Sequence, residues 1–168
     1  MSEKFFYGYR IVAASSVIQM MYLGCVFSFG VFFPEFEAEF GWSRATISGA
    51  SSSMFLVMGI LGIVMGRVSD VLGPRVLLTV AAAVFATGYL LMYRMTTAWE
   101  LYLFYGLLGG LGMGAHDVVT LSTVARWFTR YRGLMSGIVK AGAGIGQVLI
   151  PLVAAVLVSL YGWRQACL

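Results

Sequence analysis

The stretch ATISGASSSMFLVMGILGIVMGRVSDVLGPRVLLTVAAAVFATGYLLMY, residues 45–93, decides the fold class. It holds two long apolar runs, residues 45–65 and 76–93, on either side of a short polar segment at residues 66–75. A helix needs about 20 apolar residues, at about 1.5 Å each, to cross the hydrocarbon core of a bilayer. The two runs are therefore predicted to be membrane-spanning helices joined by a short connection.

The composition of the whole chain agrees with a lipid environment. Of its 168 residues, 60% are hydrophobic and 11% are charged, and the mean hydropathy is +0.89. A soluble domain usually carries about a quarter charged residues, so this chain lacks the polar surface that water requires. Disordered, collagen-like and disulfide-rich proteins are excluded on the same ground. Nucleic acid is not an expected partner, because the net charge of +4 comes from short cationic clusters between apolar runs.

Three further apolar runs are long enough to span a membrane, which makes five in all. The predicted spans cover residues 11–33, 45–65, 76–93, 101–124 and 134–160. We expect Pro34 to end the first span, and the short connections require consecutive helices to be antiparallel. The predicted fold is an all-α polytopic membrane protein whose main surrounding partner is membrane lipid.

The Lys and Arg residues favour one side of the membrane. One side carries Lys4, Arg10, Arg67, Arg75, Arg126, Arg130 and Arg132, and the other carries Arg44, Arg94 and Arg164 with Glu35, Glu37, Glu39 and Glu100. Because cytoplasmic loops carry the excess of Lys and Arg, this asymmetry predicts a cytoplasmic N-terminus in a plasma or inner membrane. Five spans bring the chain outside at Gly162-Trp163-Arg164, and we expect a sixth helix to follow residue 162.

The polar segment between the second and third spans carries four residues of a known signature. It reads Gly66-Arg67-Val68-Ser69-Asp70-Val71-Leu72-Gly73-Pro74-Arg75. Gly66, Asp70, Gly73 and Arg75 resemble the signature loop of the major facilitator superfamily. Val71 and Pro74 depart from the family pattern, which has basic residues at both positions. The resemblance implies that Asp70 and Arg75 belong to a gate on the cytoplasmic side.

Motifs elsewhere in the chain narrow this resemblance to one branch. YGYR (residues 7–10), FGVFFP (29–34), FGWSR (40–44), ARWF (125–128) and GWR (162–164) look like the monocarboxylate and oxalate/formate antiporter branch. The resemblance implies a secondary transporter of twelve helices in two six-helix halves around a central cavity. Residues 1–168 would supply most of the first half, and a C-terminal half would supply the other wall. The substrate implied is a small organic anion, moved with a proton or in exchange for another anion.

Glycines recur at helix-packing spacing in the fourth and fifth spans. The predicted packing residues are Gly106, Gly110, Gly114, Gly133, Gly137, Gly142 and Gly146. Lipid gives helices no hydrophobic reason to associate, so small residues that let backbones touch must supply the packing.

The ionisable residues inside the last two predicted spans are His116, Asp117 and Lys140. These spans form an antiparallel hairpin that turns near Thr129, so Asp117, twelve residues before the turn, and Lys140, eleven after it, lie at similar depth. Because a charge inside a membrane is costly without a partner, we predict an Asp117–Lys140 ion pair. In the alternative, Lys140 reaches the cytoplasmic surface while Asp117 bonds to backbone or hydroxyl groups.

Polar side chains at mid-span are the candidates for lining a substrate cavity. They are Gln19 and Tyr22 in the first span, with His116 and Lys140. Because histidine ordinarily titrates near neutral pH, His116 is a candidate for proton coupling or anion binding. A structural hydrogen-bonding role for His116 is the alternative.

The sequence does not favour an enzyme. It contains one His, no His-Glu-x-x-His zinc motif and no pair of intramembrane aspartates. Cys25 and Cys167 are too few for a metal site or a disulfide framework, and no metal or cofactor is expected. Besides anion transport, two alternatives stay open: a non-transporting structural membrane fragment, and an exporter of another small-molecule class.

Overall fold

The structure is a computed structural model that describes residues 2–167, with the side chains of residues 7–167. All regular structure in this range is helical. Met1, Leu168 and the side chain of Lys4, one of the cations behind the predicted orientation, lie outside the described part.

The described chain forms a helical bundle. In order, its elements are α1 (Ser2–Phe40), α2 (Arg44–Leu72), α3 (Pro74–Met92), α4 (Ala98–Leu101), a π-helical stretch (Tyr102–Gly109), α5 (Gly110–Met113), α6 (His116–Trp127), α7 (Arg132–Tyr161) and α8 (Trp163–Ala166). Within the described residues, four helices are long and apolar enough to cross a membrane, namely Tyr7–Phe40, Arg44–Leu72, Pro74–Met92 and Arg132–Tyr161. The prediction of an all-α polytopic membrane protein is confirmed.

The fourth predicted span, residues 101–124, is not one uninterrupted α-helix. The path from Ala98 to Trp127, which we call the fourth segment, consists of α4, the π-helical stretch, α5 and α6. A turn at Gly114 and Ala115 separates α5 from α6. Five glycines fall between residues 106 and 114, and each lowers helix propensity by about 1 kcal/mol relative to Ala. The irregularity therefore follows from the same glycines that permit close packing.

A capping box starts the fourth segment slightly earlier than predicted. The Thr97 hydroxyl accepts the backbone N–H of Glu100, while the Glu100 carboxylate accepts the N–H groups of Thr96 and Thr97. The hydrogen bond from the Thr96 N–H is the main reason that the pKa of Glu100 lies below its ordinary value.

Pro34 does not end the first helix, so this prediction was wrong. α1 continues through Pro34 to Phe40. Proline removes one backbone hydrogen bond, but Pro34 lies on the exposed side of the helix. Phe36 is fully buried and packs on the rings of Trp42 and Trp163. This aromatic packing holds the last turns of α1 in helical form.

The polar segment between the second and third spans is mostly helix, not the loop that the sequence suggested. α2 runs to Leu72 and α3 begins at Pro74, which leaves Gly73 between them. Gly73 has φ 82° and ψ 149°, a conformation that favours glycine, and proline is well suited to the first position of a helix. Gly162 joins α7 to α8 in nearly the same conformation, with φ 80° and ψ 160°.

Two parallel helix pairs form the frame of the bundle. In each pair the close contacts recur every fourth residue in the same chain direction, because a small residue on one helix admits the backbone of the other. The contacts of α1 with α7 are Ser16–Gly142, Met20–Gly146 and Gly24–Ile150, and those of α2 with the fourth segment are Ser53–Gly106, Val57–Gly110 and Leu61–Gly114. A Cβ atom on Gly146 would lie 2.1 Å from the Met20 carbonyl oxygen.

α3 packs antiparallel on the other side of the fourth segment. A Cβ atom on Gly112 would lie 2.5 Å from the Cβ of Phe85, and one on Gly88 would lie 2.6 Å from the Phe104 carbonyl oxygen. The glycine-rich segment therefore fits between α2 and α3, and each of these helices packs directly on its backbone.

Gly133 and Gly137 do not make the packing contacts predicted for them. Within the described chain, and apart from the adjacent backbone of α7 itself, a Cβ atom on either would have no heavy atom within 4 Å, whereas the other five predicted packing glycines are closely contacted. Met135 and Val139, on the opposite side of α7, are buried with Val12 of α1. The face of α7 that carries Gly133 and Gly137 is therefore open.

Candidate functional site

Six polar side chains from three helices meet between α1, α6 and α7. We call them the polar cluster: Gln19 and Tyr22 of α1, His116, Asp117 and Thr120 of α6, and Lys140 of α7. The members from α6 follow directly after the turn at residues 114 and 115. The break in the fourth segment therefore positions His116 and Asp117 at the start of a new helix.

Asp117 and Lys140 form an ion pair at the open side of the cluster. Lys140 Nζ lies 2.5 Å from Asp117 Oδ1, and each side chain is 45% exposed. Asp117 lies in the first turn of α6, where the partial positive charge of a helix N-terminus favours a carboxylate. The structure thus brings together the two charges that the sequence paired by depth.

Gln19 holds Asp117 from the buried side. Its Nε2 donates to Asp117 Oδ1 at 2.7 Å and to Thr120 Oγ1 at 2.9 Å. An ionised carboxylate only accepts hydrogen bonds, so the amide nitrogen must face Asp117. Gln19 is fully buried, and its Oε1 has no hydrogen-bond partner among the described residues. Asp117 therefore has a fixed donor on one side and a half-exposed one on the other.

His116 and Tyr22 stack beside this pair. The His116 Nδ1 donates to the Met113 carbonyl oxygen at 2.7 Å, since a carbonyl can only accept. The ring of Tyr22 lies 5.3 Å from the imidazole, at 20° to it. Both are buried, and the Tyr22 hydroxyl has no partner within the described part. Tyr22 also lines a cavity of about 500 Å³ between α1, α3 and α7, whereas Gln19 and His116 are enclosed by helix packing.

The signature residues lie at the end of the bundle where α1 begins. Asp70, near the end of α2, forms an ion pair with Arg126, near the end of α6. Arg75 donates to the Tyr7 hydroxyl at 2.5 Å, and the Tyr7 ring packs against Trp127. Gly66 lies inside α2, where a Cβ atom would touch Val118 at 3.7 Å. Sequence reasoning identified Asp70 and Arg75 but missed their partners, which are far away in the chain.

A second ion pair lies at the opposite end of the bundle. Arg164 Nη2 lies 2.5 Å from Glu39 Oε1, and Trp163 Nε1 donates to Glu39 Oε2 at 2.5 Å. Arg164 Nη1 also donates to the carbonyl oxygens of Tyr93 and Met95. We call these contacts the end clasp, because they join the end of α1, the turn after α3 and the start of α8 at one end of the bundle. The sequence signal for it, the GWR motif, did not reveal its acidic partner.

The polar cluster contains groups that can bind an anion. It offers one ammonium, one carboxylate, one imidazole, an amide and hydroxyl groups. Across residues 7–167, no group of three or more His, Cys, Asp or Glu side chains is placed to hold a metal ion. An ammonium held by a single half-exposed carboxylate can accept another anion in its place.

Known proteins with similar sequences are transporters by name. The chain is 32% identical over 162 residues to monocarboxylate transporter 13 of Rattus norvegicus, covering 96% of this chain and 38% of that protein. It is 27% identical to MFS-type transporter 1 of an Ophiocordyceps fungus, covering 96% of the chain and 36% of the relative. It is 28% identical to the riboflavin transporter RibJ of Trypanosoma brucei brucei, covering 95% and 30%. The chain thus spans less than two fifths of the length of each of these relatives.

The match to a protein family covers nearly the whole chain. It includes the broken fourth segment, the polar cluster and both end pairs, and its first matched residue lies in α1. Because the sequence model of the Major Facilitator Superfamily matches residues 15–168, the chain belongs to that superfamily.

Proposed function

We propose that the chain is the N-terminal, substrate-translocating part of a secondary transporter for a small organic anion. The observation that carries this proposal is the half-exposed Asp117–Lys140 pair, in which Lys140 belongs to a helix long and apolar enough to span a membrane. Charged side chains inside a span face the bundle interior or a water-filled cavity, because lipid cannot solvate them. The exposed side chains Ile145, Val148 and Leu152 lie on a different face of α7 and are apolar, as a surface toward lipid requires. The face that carries Asp117 and Lys140 is therefore the proposed cavity wall.

Lys140 is the proposed group for the acidic part of the substrate. An ammonium offers three donors and a full charge to a carboxylate. Gln19, Tyr22 and His116 would shape the site behind it, and a proton or an exchanged anion would accompany the substrate. The names of the monocarboxylate relatives support an organic monoanion. The riboflavin transporter among the relatives favours the second candidate, transport of another small-molecule class.

The proposed mechanism is alternating access, in which two halves rock around a central site. A C-terminal half would supply the other wall, and the length of the relatives supports this partner. Gly66, Asp70, Gly73 and Arg75 would form part of the cytoplasmic gate, where the Asp70–Arg126 pair is exposed enough to separate. We infer a cytoplasmic N-terminus in a plasma or inner membrane from the cation asymmetry.

Uptake by cells that express the complete transporter tests the proposal. With a panel of radiolabelled monocarboxylates, Lys140→Met should reduce uptake at least about tenfold at an unchanged surface level. Glu37→Gln is the matched control, since the exposed Glu37–Arg44 pair lies away from the cluster. If wild type moves no monocarboxylate but does move a neutral solute, the second candidate is favoured. Full uptake by Lys140→Met would contradict the role of Lys140.

A further inference from the structure

We propose that Asp117 is an internal counter-anion, which occupies Lys140 in place of the substrate when the carrier is empty. The inference rests on the proposed function and adds a role that transport alone does not require. It predicts that one carboxylate decides whether the empty carrier can change its orientation.

The geometry allows Asp117 to release Lys140 while Asp117 itself stays in place. Asp117 Oδ1 accepts from Lys140 Nζ at 2.5 Å and from Gln19 Nε2 at 2.7 Å. Gln19 is fully buried and is also bonded to Thr120, so its position does not depend on Lys140. A substrate carboxylate that displaces Asp117 from Lys140 leaves Asp117 held by Gln19, with its open side toward the cavity. Gln19 is thus a positioning residue for the counter-anion.

The charge of the site follows from the groups that face it. α1 contributes Gln19 and Tyr22, α6 contributes His116 and Asp117, and α7 contributes Lys140. With His116 neutral, the described groups of the empty site carry one positive and one negative charge, which cancel. Replacing Asp117 by Asn leaves the charge of Lys140 uncompensated in the empty carrier, and a bound monoanion compensates it. In wild type a bound monoanion compensates Lys140 in the same way, while Asp117 keeps its hydrogen bond from Gln19. An uncompensated ammonium is costly in a closed, water-poor site.

The two transport modes separate this role from a merely structural one. Exchange of substrate for substrate uses only the loaded carrier, which is neutral in Asp117→Asn. Net efflux requires the empty carrier to reorient, and in Asp117→Asn the empty carrier holds an unpaired Lys140. The variant should therefore exchange substrate but fail to release it into a substrate-free solution.

The experiment uses proteoliposomes that contain the complete transporter and are loaded with the radiolabelled monocarboxylate that wild type transports. Efflux is measured into buffer without substrate and into buffer with excess unlabelled substrate. In Asp117→Asn we expect net efflux to fall at least about tenfold while exchange persists, so that the ratio of exchange to net efflux rises at least about tenfold relative to wild type. Glu37→Gln, the same chemical change on the exposed helix end, should leave both modes unchanged, and Lys140→Met should lose both.

A binding measurement covers the case in which Asp117 variants reconstitute poorly. Because the substrate replaces a missing counter-anion, it should raise the melting temperature in detergent more for Asp117→Asn and Asp117→Ser than for wild type. An equal or smaller rise for both variants would overturn the inference. If Asp117→Asn folds normally and loses both exchange and net efflux, or keeps both, the inference is overturned as well. Transport by wild type in the same experiment would leave the proposed function intact. If wild type shows neither mode, the proposed function itself fails.

Discussion

At the residue scale, the main feature is the Asp117–Lys140 ion pair, which is only half buried. A fully buried ion pair loses about 3–5 kcal/mol when one partner is removed. Asp117 and Lys140 are each 45% exposed, so the cost of removing one partner should be smaller. When Lys140 is the partner removed, the cost is smaller still, because Asp117 keeps the hydrogen bond from Gln19. Lys140 has no comparable second partner among the described side chains, and it is the more vulnerable member.

A double-mutant cycle on folding tests this coupling. Asp117→Asn should lower the melting temperature, because it leaves Lys140 unpaired, and Lys140→Met should lower it less. The double variant should recover part of the loss, since no unpaired charge remains. Thermal unfolding in detergent measures all four proteins. Strictly additive losses would show that the two side chains are not coupled.

At the element scale, the bundle depends on where glycine lets two helices touch. α1 and α7 approach through Gly142 and Gly146, where a Cβ atom would lie 2.7 Å and 2.1 Å from backbone oxygens of α1. Pro34 and Pro151 both lie inside long helices, so helix length is set by packing as well as by local propensity. The broken fourth segment also packs closely through glycine, since its glycines contact α2 on one side and α3 on the other.

Gly146→Ala should destabilise the protein by about 1–3 kcal/mol, the usual effect of forcing an extra methyl group into a packed site. The added Cβ would meet the Met20 carbonyl, which belongs to backbone and cannot rotate away. Gly144→Ala is the matched control on the same helix, because that position is open. Thermal unfolding in detergent compares them. Equal melting temperatures would contradict the tight contact between α1 and α7.

The end clasp joins three elements through one side chain. Arg164→Met removes an ion pair with Glu39 and two hydrogen bonds to backbone carbonyls. Because Arg164 and Glu39 are partly exposed, we expect a loss of about 1–2 kcal/mol of stability. Arg94→Met is the control, since Arg94 is exposed and makes no side-chain ion pair in the described part of the chain. A similar loss in both variants would show that the clasp contributes nothing specific.

At the scale of the whole molecule, each end of the bundle has an ion pair beside a glycine turn. The residue next to the turn is acidic at one end and basic at the other. One end pairs Asp70, beside the Gly73 turn, with Arg126. The other pairs Arg164, beside the Gly162 turn, with Glu39. The first pair is more exposed than the second, which fits our proposal that the gate opens at the Asp70 end.

Cysteine labelling in intact cells tests the orientation of the bundle. With Cys25 and Cys167 replaced, a cysteine at position 38 should react with a membrane-impermeant reagent added outside, and one at position 71 should not. Both Ala38 and Val71 are exposed in the structure, so burial does not explain a difference. Labelling after permeabilisation is the control for reactivity at position 71. The reverse pattern would contradict a cytoplasmic N-terminus.

The sequence was a good guide wherever the deciding interaction is local. Hydropathy identified the helical membrane fold, because the length of an apolar run is set by the thickness of the bilayer. The structure also brings together Asp117 and Lys140, the two charges that were paired by depth, since a short hairpin relates their helices directly. Proline was less reliable, because the aromatic packing of Phe36 carries α1 past Pro34. Gly133 and Gly137 lie on a face of α7 that no other helix of the described chain contacts at these positions, so packing there stays a prediction.

By itself, the sequence determined that this protein is an all-α membrane bundle of the superfamily and that its last hairpin carries opposite charges. Only the tertiary structure decided that Gln19 reaches Asp117 across 98 positions and that Glu39 reaches Arg164 across 125. The physical reason is that hydropathy and helical periodicity act over a few turns. Contacts between helices that are distant in sequence depend on how each helix is rotated against its neighbours, and side-chain packing sets that rotation.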